Sequence, residues 1–259
     1  MVKGLYTAYT GMVNEQNRMD IMTNNLANAS TVGYKKEGST SQSFNDVLTV
    51  KIKDQSAGMR NAQKIGIKNP GVKIGENYTD YSQGSFRITD NTYDLALSGD
   101  GFFAIEFTNK AGEKDTKYTR AGQFTLNKDG YLVTEEGDYV LDTQNRRIRL
   151  NTLIDSQITE DGTIYQNNRA VARIQVTDFA DYNYLEKYGE TYYQPIEGAK
   201  TIAANAQVKS GYLEMANVQI VSEMVNLISI TRAYESNQKV IQTIDGSLDV
   251  AVNQIGKLQ

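Results

Sequence analysis

The last fifth of the chain, residues 217–258, carries apolar side chains at every seventh position. The first row is Ile220, Leu227, Tyr234, Ile241, Leu248 and Ile255. A companion row three residues further on is apolar at four of six positions and includes Ile230, Asn237 and Ile244. Two rows at this offset make one narrow stripe along a helix, which is the pattern of a coiled-coil seam.

A helix over this stretch is too long to be buried within one domain of the chain. About 40 residues at ~1.5 Å rise per residue span about 60 Å, and no proline interrupts the run. That length does not fit inside one compact domain of a 259-residue chain. The seam therefore needs a partner.

The other end of the chain offers one. A second heptad row consists of Leu5, Met12, Met19 and Leu26. We expect a helix from residue 2 to about 28, ended by the asparagines and the glycine of 24–34. Heptad stripes at both ends favour a terminal helical bundle over the alternative, two ordinary amphipathic helices packed on a globular core.

The middle of the chain has a different pattern. Residues 47–53, 65–67 and 72–74 alternate like strands, which predicts a long, poorly buried hairpin or extended connector, with a flexible linker as the alternative. Residues 124–133 and 157–165 carry hairpin signals, and 93–107 predicts two strands about a glycine turn. Short strands at this density indicate a sandwich or irregular barrel.

The sequence thus predicts an α+β protein in three parts. The terminal helices, 1–34 and 212–259, form a coiled-coil domain. Residues 35–74 form an extended β connector, and residues 75–211 form a central all-β domain.

Composition excludes several functions. With no histidine and no cysteine, the chain lacks the commonest general base and the thiolate ligands of metal sites. A net charge of −4 makes nucleic acid an unsuitable partner. No apolar run reaches the ~18 residues of a membrane span. Residues 1–16 lack the apolar core of a cleavable signal, as expected of a cytosolic protein or of export by another route.

Two candidate sites have simpler explanations. Residues 125–136 fit part of a calcium-loop template, but position 1 is Thr125 and the flanks predict strands. Asp94, Asp100, Asp138 and Asp142 could supply carboxylates for glycoside cleavage, yet each lies beside a glycine or at a strand end. We therefore expect no enzyme, no cofactor and no metal; a secreted carbohydrate-binding or hydrolytic β module is the alternative of another class.

Motifs along the whole chain resemble the axial proteins of the bacterial flagellum. The N-terminal signature is Asn24, Asn25, Leu26, Ala27, Asn28, Thr31, Gly33 and Tyr34. Residues 98–103, 118–124 and 127–134 resemble the β-domain motifs of that family. Residues 211–214, 223–225 and 232–237 resemble its rod-protein version most. Chain length favours a rod protein over a hook or hook-associated protein. The C-terminal motifs favour a distal rod protein, while 28–33 favours a proximal one.

The resemblance implies a structural subunit of the basal-body rod. Family members pack their terminal helices as an inner coiled coil and polymerise into a hollow helical drive shaft that transmits torque to the hook. They leave the cell through the flagellar type III export apparatus without a cleaved signal. The implied partners are sister copies, other rod and hook subunits and that apparatus.

Residue patterns indicate where copies meet. We expect the C-terminal helix to be longer than the N-terminal helix by roughly 15 residues. One partner helix therefore cannot cover the whole of its seam. Val221, Met224, Val225 and Ile228 widen its apolar face, and exposed apolar patches usually mark interfaces. Neighbouring copies are expected to bury this surface, with Asn237 fixing the register.

Overall fold

The computed structural model describes residues 2–51, 63–109 and 112–255. It has an N-terminal helix, a mostly β body and a C-terminal helix, which confirms the predicted α+β class. Contacts divide the chain into two compact units. One consists of Met1–Leu26, Glu37–Asp80 and Ile220–Gln259, and the other of Ala27–Lys36 and Tyr81–Gln219. Coiled-coil pairing of the terminal helices stays a prediction.

The two long helices are α1 (Val2–Ala27) and α2 (Ile220–Val250). A π-helical turn, Ala251–Ile255, follows α2. The predicted excess of about 15 residues is wrong for the described α-helices, because α2 has 31 residues and α1 has 26. Regular α-helix gives way to the π turn at Ala251, and 256–259 lie outside the described residues. Neither helix, over its described length, is apolar enough to cross a membrane.

The strands follow in chain order. The first ten are β1 (Glu37–Ser43), β2 (Val47–Lys51), β3 (Gln63–Lys68), β4 (Val72–Thr79), β5 (Phe86–Ile88), β6 (Leu95–Ser98), β7 (Phe102–Thr108), β8 (Lys114–Thr119), β9 (Phe124–Leu126) and β10 (Leu132–Thr134). The next ten are β11 (Tyr139–Val140), β12 (Ser156–Ile158), β13 (Thr163–Gln166), β14 (Arg169–Arg173), β15 (Val176–Phe179), β16 (Leu185–Tyr188), β17 (Tyr192–Pro195), β18 (Thr201–Ala203), β19 (Gln207–Ser210) and β20 (Tyr212–Glu214). A 3-10 turn, Tyr182–Tyr184, precedes β16.

The connector is a hairpin. Antiparallel pairing of β1 with β4 continues into antiparallel pairing of β2 with β3. Most described side chains of β1 and β4 are exposed or half-buried. The described residues of the connector thus form a poorly buried antiparallel hairpin, and the bounds of the three predicted domains stay a prediction. The predicted loop at 54–61 lies outside the described residues.

The β body is built on a nine-stranded sheet that branches at β7, which pairs with β8, β11 and β15. Successive residues of β7 serve opposite faces. Phe103 packs with Phe124, Leu95 and Leu132 in one core, whereas Phe102 packs with neighbours such as Tyr193 in a second core. The unbroken apolar run of β7 therefore reflects burial on both faces.

The hairpin predicted at 124–133 is confirmed, because β9 pairs with β10. Asn127 shapes its turn: its side-chain oxygen accepts hydrogen bonds from the backbone N–H groups of Asp129 and Tyr131. Gly130 adopts φ +82°, a left-handed conformation that favours glycine. This turn geometry accounts for the residues that fit the calcium-loop template.

The second predicted hairpin, β12 with β13, is also confirmed. The two strands predicted within 93–107 form as well, but they do not pair with each other. Instead β6 pairs with β19, and β7 joins the large sheet. Gly99 and Gly101 lie between them at φ +113° and +141°, and long-range partners decide where each strand goes.

An ion pair joins β7, the start of β8 and Arg147, which follows β11. Arg147 donates Nη2 to Oε1 of Glu106 at 2.7 Å and Nε to Oε2 at 3.3 Å. Lys114 Nζ lies 3.1 Å from Oε1 of the same carboxylate. The hydrogen bond from Arg147 lowers the pKa of Glu106 below its ordinary value against the opposing effect of burial.

This pair predicts a pH-dependent stability difference. A carboxylate with a lowered folded pKa stabilises the fold above its unfolded pKa of about 4.3, and that contribution is lost as pH falls through the folded pKa. At pH 7 the free energy of unfolding of the wild type should exceed that of Glu106→Gln by about 1 kcal/mol. Urea unfolding at pH 7 and pH 3 measures the difference. A gap that stays constant or widens at pH 3 would contradict the assignment.

Candidate functional site

The two helices approach each other at glycines of α1. A Cβ built on Gly4 would lie 3.5 Å from Cδ1 of Ile244, and one built on Gly11 would lie 3.1 Å from Nδ2 of Asn237. Seven residues forward on α1 correspond to seven residues back on α2. The helices are therefore antiparallel, and the missing side chains permit close approach at these two points.

The predicted seam positions lie on the sheltered side of both helices. On α2, Ile230 is buried, and the half-buried seam positions are Leu227, Tyr234, Asn237, Ile241, Ile244 and Leu248. On α1, the half-buried positions are Leu5, Met12, Met19 and Leu26. Ile220 is exposed, and the side chain of Ile255 lies outside the described residues. The role of these residues in assembly stays a prediction.

Another face of α1 meets the connector through polar contacts. The amide of Asn14 and the hydroxyl of Ser41 each donate to the other's oxygen, at 3.0 and 3.1 Å. The hydroxyl of Thr7 donates to the carbonyl of Pro70 at 3.1 Å. Thr10 abuts Gly71, where a Cβ would collide with its hydroxyl. Two faces of α1 are therefore occupied within its own chain.

A different face of α2 is uncovered. Four exposed apolar side chains near the start of α2 share this face: Val221, Met224, Val225 and Ile228. They follow i, i+3, i+4 and i+7 spacing, so they form one stripe. Val221 alone is 76% exposed. We call these four residues the α2 stripe.

The family-signature residues shape the chain after α1. Asn25 is fully buried; its amide donates to the carbonyl of Glu37 at 2.7 Å and its oxygen accepts from the same residue's N–H at 2.9 Å. Asn28 accepts a hydrogen bond from the hydroxyl of Thr31. Gly33, at φ +70°, leaves no room for a Cβ against the backbone of 120–121. The other members are buried Tyr34, half-buried Leu26 and exposed Asn24 and Ala27.

The signature leads into a buried ion cluster in the β unit. Lys35 Nζ lies 2.6 Å from Oε1 of Glu214, and Arg120 Nη1 lies 3.4 Å from Oε2. All three side chains are at most 2% exposed. Lys35 also donates to the carbonyl of Ser82, and the N–H of Gly84 donates to Glu214. One carboxylate thus compensates two buried cations.

This cluster joins two distant parts of the sequence. The N–H of Gly33 donates to the carbonyl of Glu214 at 2.8 Å, and the N–H of Lys36 donates to Oδ1 of Asn217 at 2.7 Å. Residues 33–36 follow α1 and residues 214–217 precede α2. The chain segments leading to both helices are therefore held side by side within the β unit.

Sequence reasoning missed both the polar face of α1 and the ion cluster. The first had a signal, because the polar residues Thr7, Thr10 and Asn14 recur at helical spacings of three and four. The second had none, since Lys35, Arg120 and Glu214 are separated by 85 or more residues.

The ion cluster predicts a large loss of stability on neutralising its carboxylate. Glu214→Gln removes the buried carboxylate that Lys35 and Arg120 share, and should lower the free energy of unfolding by about 3–5 kcal/mol. The matched control is Glu186→Gln, at an exposed position, with an expected effect within about 0.5 kcal/mol. Urea denaturation measures both. Equal, small effects would show that the cluster does not stabilise the β unit.

Three family models match the chain. Residues 5–35 match the flagella basal body rod protein family, and residues 96–166 match the flagellar hook protein FlgE/F/G D1 domain. Residues 209–255 match the flagellar basal body rod FlgEFG protein C-terminal family. The matches cover α1 with its signature, the core of the β body and α2.

Relatives are similar over their full length. The flagellar basal-body rod protein FlgG of Bacillus subtilis (strain 168) is 34% identical, over 98% of this chain and 99% of its own. FlgG of Caulobacter vibrioides is 34% identical over 95% and 97%, and the basal-body rod protein FlgF of the same organism is 32% identical over 100% of both. Rod proteins are structural proteins of the flagellar basal body and interact with other flagellar subunits. The chain therefore belongs to the flagellar basal-body rod protein family and is a structural component rather than an enzyme.

Proposed function

We propose that this protein polymerises through its terminal helices into a hollow helical rod, the drive shaft that transmits torque to the flagellar hook. Its partners are sister copies, other rod and hook subunits and the export apparatus. The terminal helices form the inner coiled-coil domain of the rod, the connector follows, and the β domain lies further out.

The α2 stripe is the observation that carries this proposal. Apolar surface in water is unfavourable by about 25 cal/mol per Å², and the four side chains form a contiguous face rather than scattered positions. The seam face of α2 is sheltered while the stripe is exposed. A repeated contact between sister copies buries the stripe, and a head-to-tail contact that does not close produces a helical filament.

Two further parts of the proposal concern place and route. The C-terminal motifs at 211–214, 223–225 and 232–237 support a distal rather than a proximal position in the rod. Export through the flagellar type III channel, without a cleaved signal, is supported by the membership of the chain in the flagellar basal-body rod protein family.

The stripe predicts an assembly defect without a folding defect. Val225→Asp places a charge on the proposed contact, where burial of an unpaired carboxylate is costly, so polymer formation should fall at least tenfold. The control is Asn226→Asp, which adds the same charge at the next, exposed position. Sedimentation at increasing concentration measures polymer, and circular dichroism checks the fold. Normal polymer from Val225→Asp would contradict the proposal.

The seam predicts a different defect. Leu227→Asp and Ile241→Asp place charge on the half-buried faces of α2, and should abolish polymerisation by separating the helices. The β unit should unfold at unchanged urea concentration. Ser236→Asp, at an exposed position of α2, is the control. Electron microscopy of the assembled material measures the outcome, and ordered filaments from either seam variant would reject the seam assignment.

A further inference from the structure

A second exposed apolar surface lies on α1. Tyr6 and Tyr9 are 54% and 53% exposed. They belong to neither the seam face nor the face that meets the connector. We call them the α1 tyrosine pair. Further along the same exposed face come the polar side chains Gln16, Asp20 and Asn24, so the apolar surface is confined to the start of the helix.

The α2 stripe is the densest group of exposed apolar side chains on α2. Beyond Ile228 most exposed residues of α2 are polar or charged, such as Arg232, Glu235 and Ser236, and the exposed valines Val240 and Val250 lie ten residues apart. Each helix thus presents a group of exposed apolar side chains near its N-terminal end, followed by a mainly polar face.

The two surfaces are also free of charge. Residues 4–14 of α1 contain no ionisable group other than tyrosine. On α2, the exposed positions from Val221 to Ser229 carry no charged side chain, because Glu223 is buried. Contact between them would bury no charge and oppose no like charges, so burial of apolar area would not be offset by desolvation of ions.

Their positions prevent them from meeting within one subunit. Gly4 lies opposite Ile244 and Gly11 opposite Asn237, so facing residue numbers add to 248. By that rule the stripe is level with residues 20–27 of α1. The tyrosine pair lies about 16 residues closer to the N-terminus of α1 than that level, which is about 24 Å along the helix axis at ~1.5 Å per residue.

We propose that the α2 stripe of one copy packs against the α1 tyrosine pair of a second copy, displaced by about 24 Å along the helix axis. This rests on the proposed polymerisation. The surfaces differ, so each copy offers one of each, and the contact is head-to-tail and repeats without closing. The helices cross antiparallel, which sets residues 6–9 of one copy level with residues 223–226 of the other, so that Tyr6 lies within about one residue of the level of Val225 and Tyr9 within about one residue of the level of Met224.

Cysteine crosslinking tests the pairing, because the chain has no cysteine of its own. Tyr6→Cys and Val225→Cys subunits are mixed, polymerised and oxidised with copper–phenanthroline. A disulfide requires Cα atoms within about 7 Å, and each subunit carries a single cysteine, so every disulfide joins two subunits. Gln16→Cys with Val225→Cys is the control pair, shifted by about 15 Å. Tyr9→Cys with Met224→Cys is a second test pair.

The expected result is a crosslinked dimer in the polymer from both test pairs, at least tenfold above the control pair and absent from dispersed subunits. Polymer without a dimer from either test pair, or with equal yield from the control pair, overturns this pairing and leaves the proposed function intact. Failure of the unmodified protein to polymerise under any condition overturns both.

Discussion

One partner helix can cover only one face of α2. The approach of α1 at Gly4 and Gly11 shelters the seam side of α2, and the connector takes another side of α1. Nothing in the described part of the chain covers the stripe that begins at Val221. We propose that this apolar face, which its own subunit leaves exposed, is the contact surface for another copy of the chain.

The β unit has a constraint of its own, a buried ion cluster. Lys35, Arg120 and Glu214 bring the segments leading to α1 and α2 side by side through charge-assisted contacts that are closed to water. Hydrogen bonds in a low-dielectric interior are stronger and more directional than on a surface. Residues 33–36 and 214–217, which are far apart in the sequence, are therefore held next to each other within the β unit.

Sequence periodicity and turn residues predicted the elements that depend on local sequence, namely helices and short hairpins. The heptad rows predicted both helices, and turn chemistry at Asn127 and Gly130 predicted a hairpin that the structure contains. Periodicity could not predict pairings between distant segments, such as the pairing of β6 with β19. The end of regular α-helix at Ala251 was also missed, since no proline or glycine marks it. At the candidate site, the α2 stripe was predicted from spacing alone, whereas the ion cluster joins residues with no sequence pattern.

The α2 stripe is the surface on which this account depends, and its accessibility can be measured directly. Ile228→Cys introduces a single thiol on the stripe, since the native chain has no cysteine. Its labelling by a maleimide should be fast in dispersed subunits, where residue 228 is exposed, and at least tenfold slower in assembled rods. Ser236→Cys, at an exposed polar position of the same helix, serves as the reference. Equal labelling of Ile228→Cys in dispersed and assembled protein would contradict the account.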